Sequence, residues 1–335
     1  DLHLSIRRQR QMCIRDSDRE GEFEPIVVPK HQSRGLSIER LVISLYAKGM
    51  SVADIESEMQ EIYGINLSTS AISIITNKVS QAATEWQNRP LDSLYMIVWM
   101  DGIVFKVREN GKVINKTVYL CVGLNKEGLK EVLGMWIGKN ESAAFWMGVL
   151  TDLKARGVED ILITVTDNLN GFTETIKSVF PASTTQICVV HQIRNSCRYV
   201  VWKEKKEFTA DLKNIYNAPT KEAAEMELDN FEQKWGAKYP YAIRSWRNNW
   251  EELTVFFDFP VEIRKIIYTT NLIENLNGKI RKYTKNKLSF PNDDALKKSV
   301  YLAINEIEKK WYQPIWNWAL IFNQFITIFE NRIQV

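Results

Sequence analysis

ILITVTDNLNGFTETIKSVFPASTTQICVVHQIRN, residues 161–195, is the stretch from which we interpret the rest of the chain. Its first five residues predict a short buried strand, and Asp167 follows where that strand ends. A turn and a short helix come next, and residues 185–190 predict a second strand that His191 closes. Open α/β sheets bind ligands and metals at the carboxyl ends of their strands. Asp167 is therefore the first candidate for a functional residue.

A β-hairpin and a third strand are predicted upstream of this stretch, after a break at residues 88–92. The first strand contains Asp101, and Asn110 with Gly111 supplies the hairpin turn, since both residue types tolerate the positive φ angles of tight hairpins. The predicted strands are residues 95–105, 113–124 and 132–137. The chain therefore forms three antiparallel strands before it reaches residue 161.

One helix connects the third strand to the strand at residue 161. Asn140 is expected to cap this helix and Gly157 to end it. Its apolar positions recur at helical spacing, at Ala144, Phe145, Val149 and Leu153. The order of elements predicts an α/β fold, a mixed sheet with helices on its faces. If the first and fourth strands are neighbours, the carboxylates of Asp101 and Asp167 meet.

Three helices are predicted before the sheet, starting at about residue 36. The first ends near Gly49, the second begins at Ser51, which can form a capping box with Asp54, and Ser68 caps the third. Their inward apolar residues are Leu41, Val42, Leu45, Tyr46, Ile55, Met59, Ile62, Ile72, Ile75 and Val79. Small polar residues mark the outer face of the third helix, namely Thr69, Ser70, Ser73 and Asn77. This pattern predicts a helix-turn-helix-like DNA-binding segment, and a plain helical bundle explains it equally well.

Residues 192–265 break the alternation of strands and helices and predict an inserted all-helical subdomain. They are charged and contain Trp202, Trp235, Trp246 and Trp250. The pair Trp246 and Trp250 could stack on a flipped or hairpin base, but packing in a helical core is the more ordinary role. The C-terminal segment, residues 301–329, is helical and rich in aromatic residues, which we assign to a core or a dimer interface.

A further helix begins near Thr270 and has two distinct faces. Its apolar side is formed by Leu272, Ile273, Leu276, Ile280 and Tyr283. Its polar side carries Glu274, Asn277, Gly278, Arg281 and Lys285. Between residues 264 and 298, nine Lys/Arg residues stand against three acidic ones, a balance that suits a phosphate backbone. A solvated face is the ordinary alternative for such a run of charges.

The composition excludes several classes of protein. The chain has 335 residues, is 45% hydrophobic and 25% charged, and has a net charge of +3. No apolar run approaches the roughly 20 residues of a membrane span, and four irregularly spaced cysteines give no disulfide framework, so we expect a cytoplasmic protein. Residues 1–17 resemble a translated sequencing adapter, so we set them aside and expect the natural protein to begin further upstream.

Four motifs occur in a fixed order: VWMDG around Asp101, TVTDNLNGF around Asp167, CVVHQIRNS from Cys188 and YTTNLIENLN around Glu274. Together they resemble the Mutator-type transposases of bacterial insertion sequences, over nearly all of the chain from residue 18. The resemblance implies a ribonuclease H-like core with a catalytic triad of Asp101, Asp167 and Glu274. It also implies that the family's C-x-x-H signature falls on Cys188 and His191.

The domain organisation that follows has five parts. They are the adapter-like segment at 1–17, a helical DNA-binding segment truncated upstream at 18–92, the first part of the core at 93–191, the all-helical insertion at 192–265, and the completion of the core, with the glutamate helix and a C-terminal helix, at 266–335. The resemblance independently implies an all-helical insertion in this interval. Asn168 stands where such proteins usually have glycine, and asparagine tolerates left-handed geometry better than most residues.

The resemblance implies a divalent-metal-dependent DNA transposase. Two Mg²⁺ or Mn²⁺ ions held by Asp101, Asp167 and Glu274 would serve strand cleavage by water and then strand transfer by the freed 3′-hydroxyl. The implied partners are double-stranded DNA, as inverted-repeat transposon ends and as target, and a homodimer or larger synaptic assembly on the bacterial nucleoid. Candidate DNA contacts are Ser70, Ser73, Asn77, Asn277, Arg281, Lys282 and Lys285. The alternatives are a truncated, non-cleaving DNA-binding derivative and a ribonuclease H-like nuclease without strand transfer.

Cys188 and His191 admit several interpretations. They could form half of a zinc site, but structural zinc takes four Cys/His ligands, and no second pair is available after residue 17. Alternatively, they order the strand end beside the active site, or His191 contacts DNA or the leaving group. A buried histidine with its hydrogen bonds satisfied is the ordinary outcome for such a position.

Overall fold

A mixed sheet lies at the centre of the protein. The computed structural model describes residues 34–139, 141–169, 171–268 and 270–333. In these residues the sheet contains β1 (Leu94–Glu109), β2 (Lys112–Leu124), β3 (Lys130–Gly138), β4 (Asp160–Thr166) and β5 (Thr184–Ile187), in the spatial order β3-β2-β1-β4-β5. The first three strands are antiparallel, β4 runs parallel to β1, and β5 runs parallel to β4. The predicted mixed sheet is confirmed, and its first and fourth strands are neighbours.

Helices cover both faces of the sheet. They are α1 (Arg34–Ala47), α2 (Val52–Glu61), α3 (Thr69–Gln87), α4 (Ala143–Ala155), α5 (Phe172–Val179), α6 (Val189–Ser196), α7 (Lys205–Tyr216), α8 (Lys221–Trp235), α9 (Pro240–Asn248), α10 (Trp250–Leu253), α11 (Val261–Ile267), α12 (Asn271–Thr284), α13 (Asp293–Glu308) and α14 (Trp318–Ile328). Short 3₁₀ turns lie at Cys197–Tyr199, Trp202–Glu204 and Val255–Asp258. In the described residues, we find no helix with the length and apolar character of a membrane span. The ribonuclease H-like core and the domain boundaries stay predictions.

The residues of β1 alternate between two hydrophobic clusters. Ile97 and Trp99 belong to the cluster that includes the N-terminal helices and α12, whereas Val98 and Met100 pack with α4 and α5. Successive side chains of a strand point to opposite faces of a sheet. Asp101 therefore follows Trp99 onto the face that α12 covers.

Local turn and cap signals account for several element boundaries. Asn110 and Gly111 have φ angles of 49° and 77°, the two left-handed positions of a type I′ hairpin turn. Gly157 ends α4 with a φ of 111°. The predicted cap of α4, Asn140, lies outside the described residues, as does the segment 1–17. The N-cap residue of α4 is instead Ser142, whose hydroxyl accepts a hydrogen bond from the backbone N–H of Phe145.

The N-terminal helices begin as the sequence predicts. Ser51 and Asp54 form both hydrogen bonds of the capping box at α2, and the Ser68 hydroxyl caps α3. Met59 is buried, but Ile62, which we expected on the same inward face, is 64% exposed. The prediction for Ile62 is wrong: this residue is the C-cap of α2, and its side chain lies in solvent.

The prediction of a strand over residues 185–190 is wrong in its second half. β5 ends at Ile187 and α6 begins at Val189, so His191 lies in the first turn of a helix. Val189 is buried, and its backbone N–H donates to the Tyr268 carbonyl at 3.0 Å. This tertiary contact outweighs the β preference of Cys-Val-Val.

Most of the predicted aromatic core is present. Trp246 and Trp250 are buried, and the indole N–H of Trp246 donates to the Ser196 hydroxyl at 2.9 Å. Core packing is therefore confirmed for both tryptophans. Tyr312 and Trp316 are 73% and 85% exposed, so they are not core residues. Both lie in the irregular segment between α13 and α14.

Candidate active site

Two aspartates meet at one edge of the sheet. β1 and β4 are parallel neighbours with Trp99 opposite Val165, and Asp101 and Asp167 each lie two residues beyond that pair. Their carboxylate oxygens and a ring nitrogen of His191 all lie within 4.8 Å of one another. The carboxylates of Asp101 and Asp167 lie close enough together to share one cation.

Hydrogen bonds fix the orientation of Asp101. The Gly102 N–H donates to its Oδ1 at 2.7 Å, and the Asn277 amide donates to its Oδ2 at 2.8 Å. A Cβ at position 102 would lie 2.7 Å from the Thr117 methyl carbon, so the close approach of β2 requires glycine here. Burial and the neighbouring Asp167 raise the pKa of Asp101 to about 7, although the Gly102 N–H opposes them.

His191 lies between the second aspartate and Glu274. Its Nδ1 is in close contact with Asp167 Oδ1, and its Nε2 lies 3.4 Å from Glu274 Oε1. Burial disfavours the charged imidazolium, but hydrogen bonds to Asp167 and Cys188 outweigh burial and raise the pKa of His191 to about 10. A protonated His191 therefore places a positive charge between two carboxylates.

Glu274 lies in the first turn of α12 and faces Arg194 of α6. The guanidinium donates to Glu274 Oε1 at 2.5 Å and to Oε2 at 2.8 Å, and it also lies 3.3 Å from His191 Nε2. Glu274 is not part of the 4.8 Å group that contains Asp101 and Asp167. The three predicted carboxylates thus form a close aspartate pair with the glutamate beside it, on the other side of His191.

Cys188 fixes the start of the Glu274 helix. Its sulfur lies 3.2 Å from the Thr270 hydroxyl and accepts the Thr270 backbone N–H at 3.3 Å. Thr270 is the N-cap residue of α12, and Cys188 is the N-cap residue of α6. This contact supports an ordering role for Cys188, because it joins the starts of the helices that carry His191 and Glu274.

The donor set of the site suits a hard divalent cation. Carboxylate oxygens are the ligands that Mg²⁺ and Mn²⁺ prefer. The pKa of Asp101 is raised because two acidic groups are held together in a largely buried place, and a bound cation stabilises such a pair in its ionised form. Within the part of the chain that the structure describes, Asn277 Oδ1 is buried without a hydrogen-bond partner. It is a further oxygen beside Asp101.

Comparison with known proteins decides the family. Residues 12–314 match the family model described as "Transposase, Mutator family". The chain belongs to this family. It is 43% identical over 316 residues to a transposase for insertion sequence element ISRM3 of Rhizobium meliloti, covering 94% of this chain and 79% of that protein. It is 40% identical over 294 residues to a probable insertion-sequence transposase of Corynebacterium diphtheriae, covering 88% and 86%.

A more distant relative, a transposase for insertion sequence element IS905 of Lactococcus lactis, is 32% identical over 298 residues, or 89% of this chain and 76% of that protein. The resemblance inferred from the four sequence motifs is thus confirmed at the level of the family.

Two basic grooves border α12 of this Mutator-family chain. Arg281 and Lys285 line the first, a cavity of about 480 Å³ that also includes Lys106 of β1. Lys282 lies on another side of the helix and lines a cavity of about 410 Å³. The other lysines of the second groove are Lys48, Lys279 and Lys310. Asn277 belongs to neither lining, because it is buried against Asp101.

The candidate residues on α3 are not among the residues that line the two basic grooves. Ser70 and Asn77 are exposed and Ser73 is half-buried. The Asn77 side chain accepts a hydrogen bond from Lys298 of α13 at 3.1 Å, so α13 reaches the polar face of α3. The helix-turn-helix stays a prediction for this segment.

Sequence reasoning missed Arg194, although it lies inside the quoted motif CVVHQIRNS. Residues three apart share one face of a helix, so a helix over 189–196 would have placed His191 and Arg194 together. We predicted a strand over 185–190 that His191 closes and a separate helical insertion from residue 192, so the two residues fell in different elements. Lys106 was missed for a different reason: only the packing of α12 against β1 places Lys106 and Arg281 in the lining of one groove.

Proposed function

We propose that this chain is a DDE-type DNA transposase whose Asp101, Asp167 and Glu274 hold Mg²⁺ or Mn²⁺. The observation that supports this most is the convergence of Asp101 and Asp167, from adjacent parallel strands, with Glu274 on the far side of His191. The mixed sheet and the helices that follow β5 support a ribonuclease H-like core with a helical insertion.

Each protein group has a separate task in this proposal. Asp101, Asp167 and Glu274 would hold divalent ions, which when bound would activate the attacking oxygen and stabilise the leaving oxygen. Asn277 and Gly102 hold the two oxygens of Asp101 in a fixed orientation. His191, with its raised pKa, balances the negative charge of Asp167 and Glu274. The contact of Cys188 with Thr270 holds the starts of α6 and α12 together.

The first basic groove is the proposed path of DNA from the site. Arg281 follows Asn277, the residue that donates to Asp101, by about one helical turn, so the groove begins one turn of α12 beyond that contact. Arg281, Lys285 and Lys106 give its lining a positive charge, which favours a phosphate backbone. The proposed substrates are double-stranded inverted-repeat ends and target DNA. Because the relatives are named as bacterial insertion-sequence transposases, we propose action on the bacterial nucleoid as a homodimer or larger synaptic assembly.

Carboxylate-to-amide variants test the triad. Asp101→Asn and Glu274→Gln should each abolish Mg²⁺-dependent nicking and joining of a plasmid that carries the DNA flanking this coding sequence. Glu225→Gln, on the exposed surface of α8, is the matched control and should leave both reactions unchanged. Undiminished cleavage by Glu274→Gln would show that the triad is wrong.

The unmodified protein separates the alternatives in the same assay. Binding of the plasmid without nicking would indicate a non-cleaving derivative, whereas nicking without joined products would indicate a nuclease.

A further inference from the structure

Arg194 occupies the glutamate side of the candidate site. Its guanidinium donates to both oxygens of Glu274, at 2.5 and 2.8 Å, in a bidentate arrangement. The side chain of Glu274 is 23% exposed, whereas that of Arg194 is 56% exposed. One partner of the pair is therefore held within the site, and the other reaches it from solvent.

This contact competes directly with a cation at Glu274. A carboxylate whose two oxygens both accept hydrogen bonds from a guanidinium has its strongest acceptor positions filled. His191 adds to the competition, because its Nε2 lies 3.4 Å from Glu274 Oε1. Asp101 and Asp167 have no comparable guanidinium contact in the described residues. Asp167 contacts the His191 ring through Oδ1 alone, whereas both oxygens of Glu274 accept hydrogen bonds from Arg194, so Glu274 is the carboxylate that this guanidinium masks.

We propose that Arg194 is a positioning residue that keeps Glu274 masked from cations until DNA binds, and that a DNA phosphate draws the guanidinium away. The inference rests on the proposed function of Glu274 as a metal ligand. Arginine binds phosphate and carboxylate with the same bidentate geometry, so a phosphate beside α6 can replace Glu274 as its partner. Its half-exposed side chain can make that exchange without unfolding any element.

The exchange couples two binding events. If DNA releases Glu274, DNA strengthens cation binding, and by linkage the cation strengthens DNA binding by the same factor. The full metal site then forms only on a bound substrate. Without Arg194, the affinity for the cation is high from the start and depends less on DNA.

The masking of Glu274 by Arg194 is tested by measuring Mn²⁺ binding to the full chain without DNA. Electron paramagnetic resonance reports the concentration of free Mn²⁺. Arg194→Gln should bind Mn²⁺ about fivefold more tightly than the unmodified protein, the change that corresponds to loss of a partly exposed ion pair. Arg198→Gln removes a charge from an exposed position four residues further on and should change the affinity less than twofold. Equal or weaker Mn²⁺ binding by Arg194→Gln would overturn the proposal.

A short duplex of DNA provides the second arm, after correction for Mn²⁺ that the duplex binds alone. The duplex should tighten Mn²⁺ binding to the unmodified protein, and this gain should shrink in Arg194→Gln. A purely structural role predicts instead that Arg194→Gln loses both Mn²⁺ affinity and urea resistance. An equal gain from DNA in both proteins would also contradict the mask.

Glu274→Gln separates this inference from the proposed function. If Glu274→Gln binds Mn²⁺ and cleaves DNA like the unmodified protein, the metal-ligand role of Glu274 fails. If Glu274→Gln loses both activities while Arg194→Gln binds Mn²⁺ no more tightly, only the role of Arg194 fails.

Discussion

The substitution Glu308→Gln should stabilise the protein, and this gain over the unmodified chain should be larger at alkaline than at acidic pH. Glu308 is the last residue of α13, and its Oε1 accepts the backbone N–H of Val132 in β3 at 2.6 Å. β3 is an edge strand of the described sheet. Gln87 of α3 accepts the Met135 N–H of the same strand in the same way. Side chains from helices thus block an edge that could otherwise pair with another chain.

The expected magnitude follows from the pKa of Glu308. Burial is the main reason that this pKa is raised from 4.5 to about 7. One pKa unit corresponds to about 1.4 kcal/mol, so ionised Glu308 destabilises the folded state by at most about 3 kcal/mol. Partial exposure of the side chain lowers our expectation to about 2 kcal/mol. Since the folded state holds this proton more tightly, its stability falls as pH rises from 4.5 to 7.

Glutamine keeps the acceptor for Val132 but has no proton to lose. Urea unfolding, followed by tryptophan fluorescence at pH 5 and pH 8, should show a stability gain for Glu308→Gln that is about 2 kcal/mol larger at pH 8. Glu306→Gln is the control, because Glu306 pairs with Lys309 at the surface and should give no such difference. The reasoning is refuted if the gain is equal at the two pH values, or if Glu308→Gln is less stable at pH 8.

Two further substitutions test the site and its surroundings. Asn277→Leu keeps the side-chain shape but removes the amide that donates to Asp101, so we expect DNA nicking to fall at least tenfold. The free energy of unfolding, measured in urea, should change by less than about 1.5 kcal/mol, because the substitution also removes the unpaired Asn277 oxygen. A nicking rate equal to that of the unmodified protein would contradict the orienting role. Arg281→Gln with Lys285→Gln should reduce the slope of log affinity against log salt concentration by about two in a DNA-binding titration, because both residues line the first groove, whereas Lys213→Gln on α7 should not. An unchanged slope would remove the first groove from the proposed DNA path.

Local signals were sufficient for the part of the site that lies on the sheet. The Asn110-Gly111 turn pairs β1 with β2, and the apolar run before Asp167 forms β4. Parallel pairing of β1 and β4 then brings Asp101 beside Asp167. Each step depends on residues near one another in sequence, or on a general rule of sheet topology. For this reason the aspartate pair could be predicted without a structure, on the condition that β1 and β4 are neighbours.

The contacts around the pair could not be predicted in the same way. Asn277 and Asp101 are separated by 176 residues, and Arg194 and Glu274 by 80. Such pairs depend on how α6 and α12 pack over the end of the sheet, which hydrophobic periodicity does not specify. Asn277 illustrates the limit: it shares a helical stripe with Arg281, yet it is buried while Arg281 lines a groove.

One clue to that packing was present in the sequence and was outweighed by the β preference of the neighbouring valines. Cys188 and His191 are three residues apart, and Arg194 follows after three more. In a strand, residues separated by three point to opposite faces, whereas in a helix they share one face. If Cys188, His191 and Arg194 act on the same partner, the segment must be helical. The structure agrees, because all three meet the start of α12: Cys188 contacts Thr270, and His191 and Arg194 both face Glu274. The spacing of a motif can therefore indicate its secondary structure even where residue propensity indicates another.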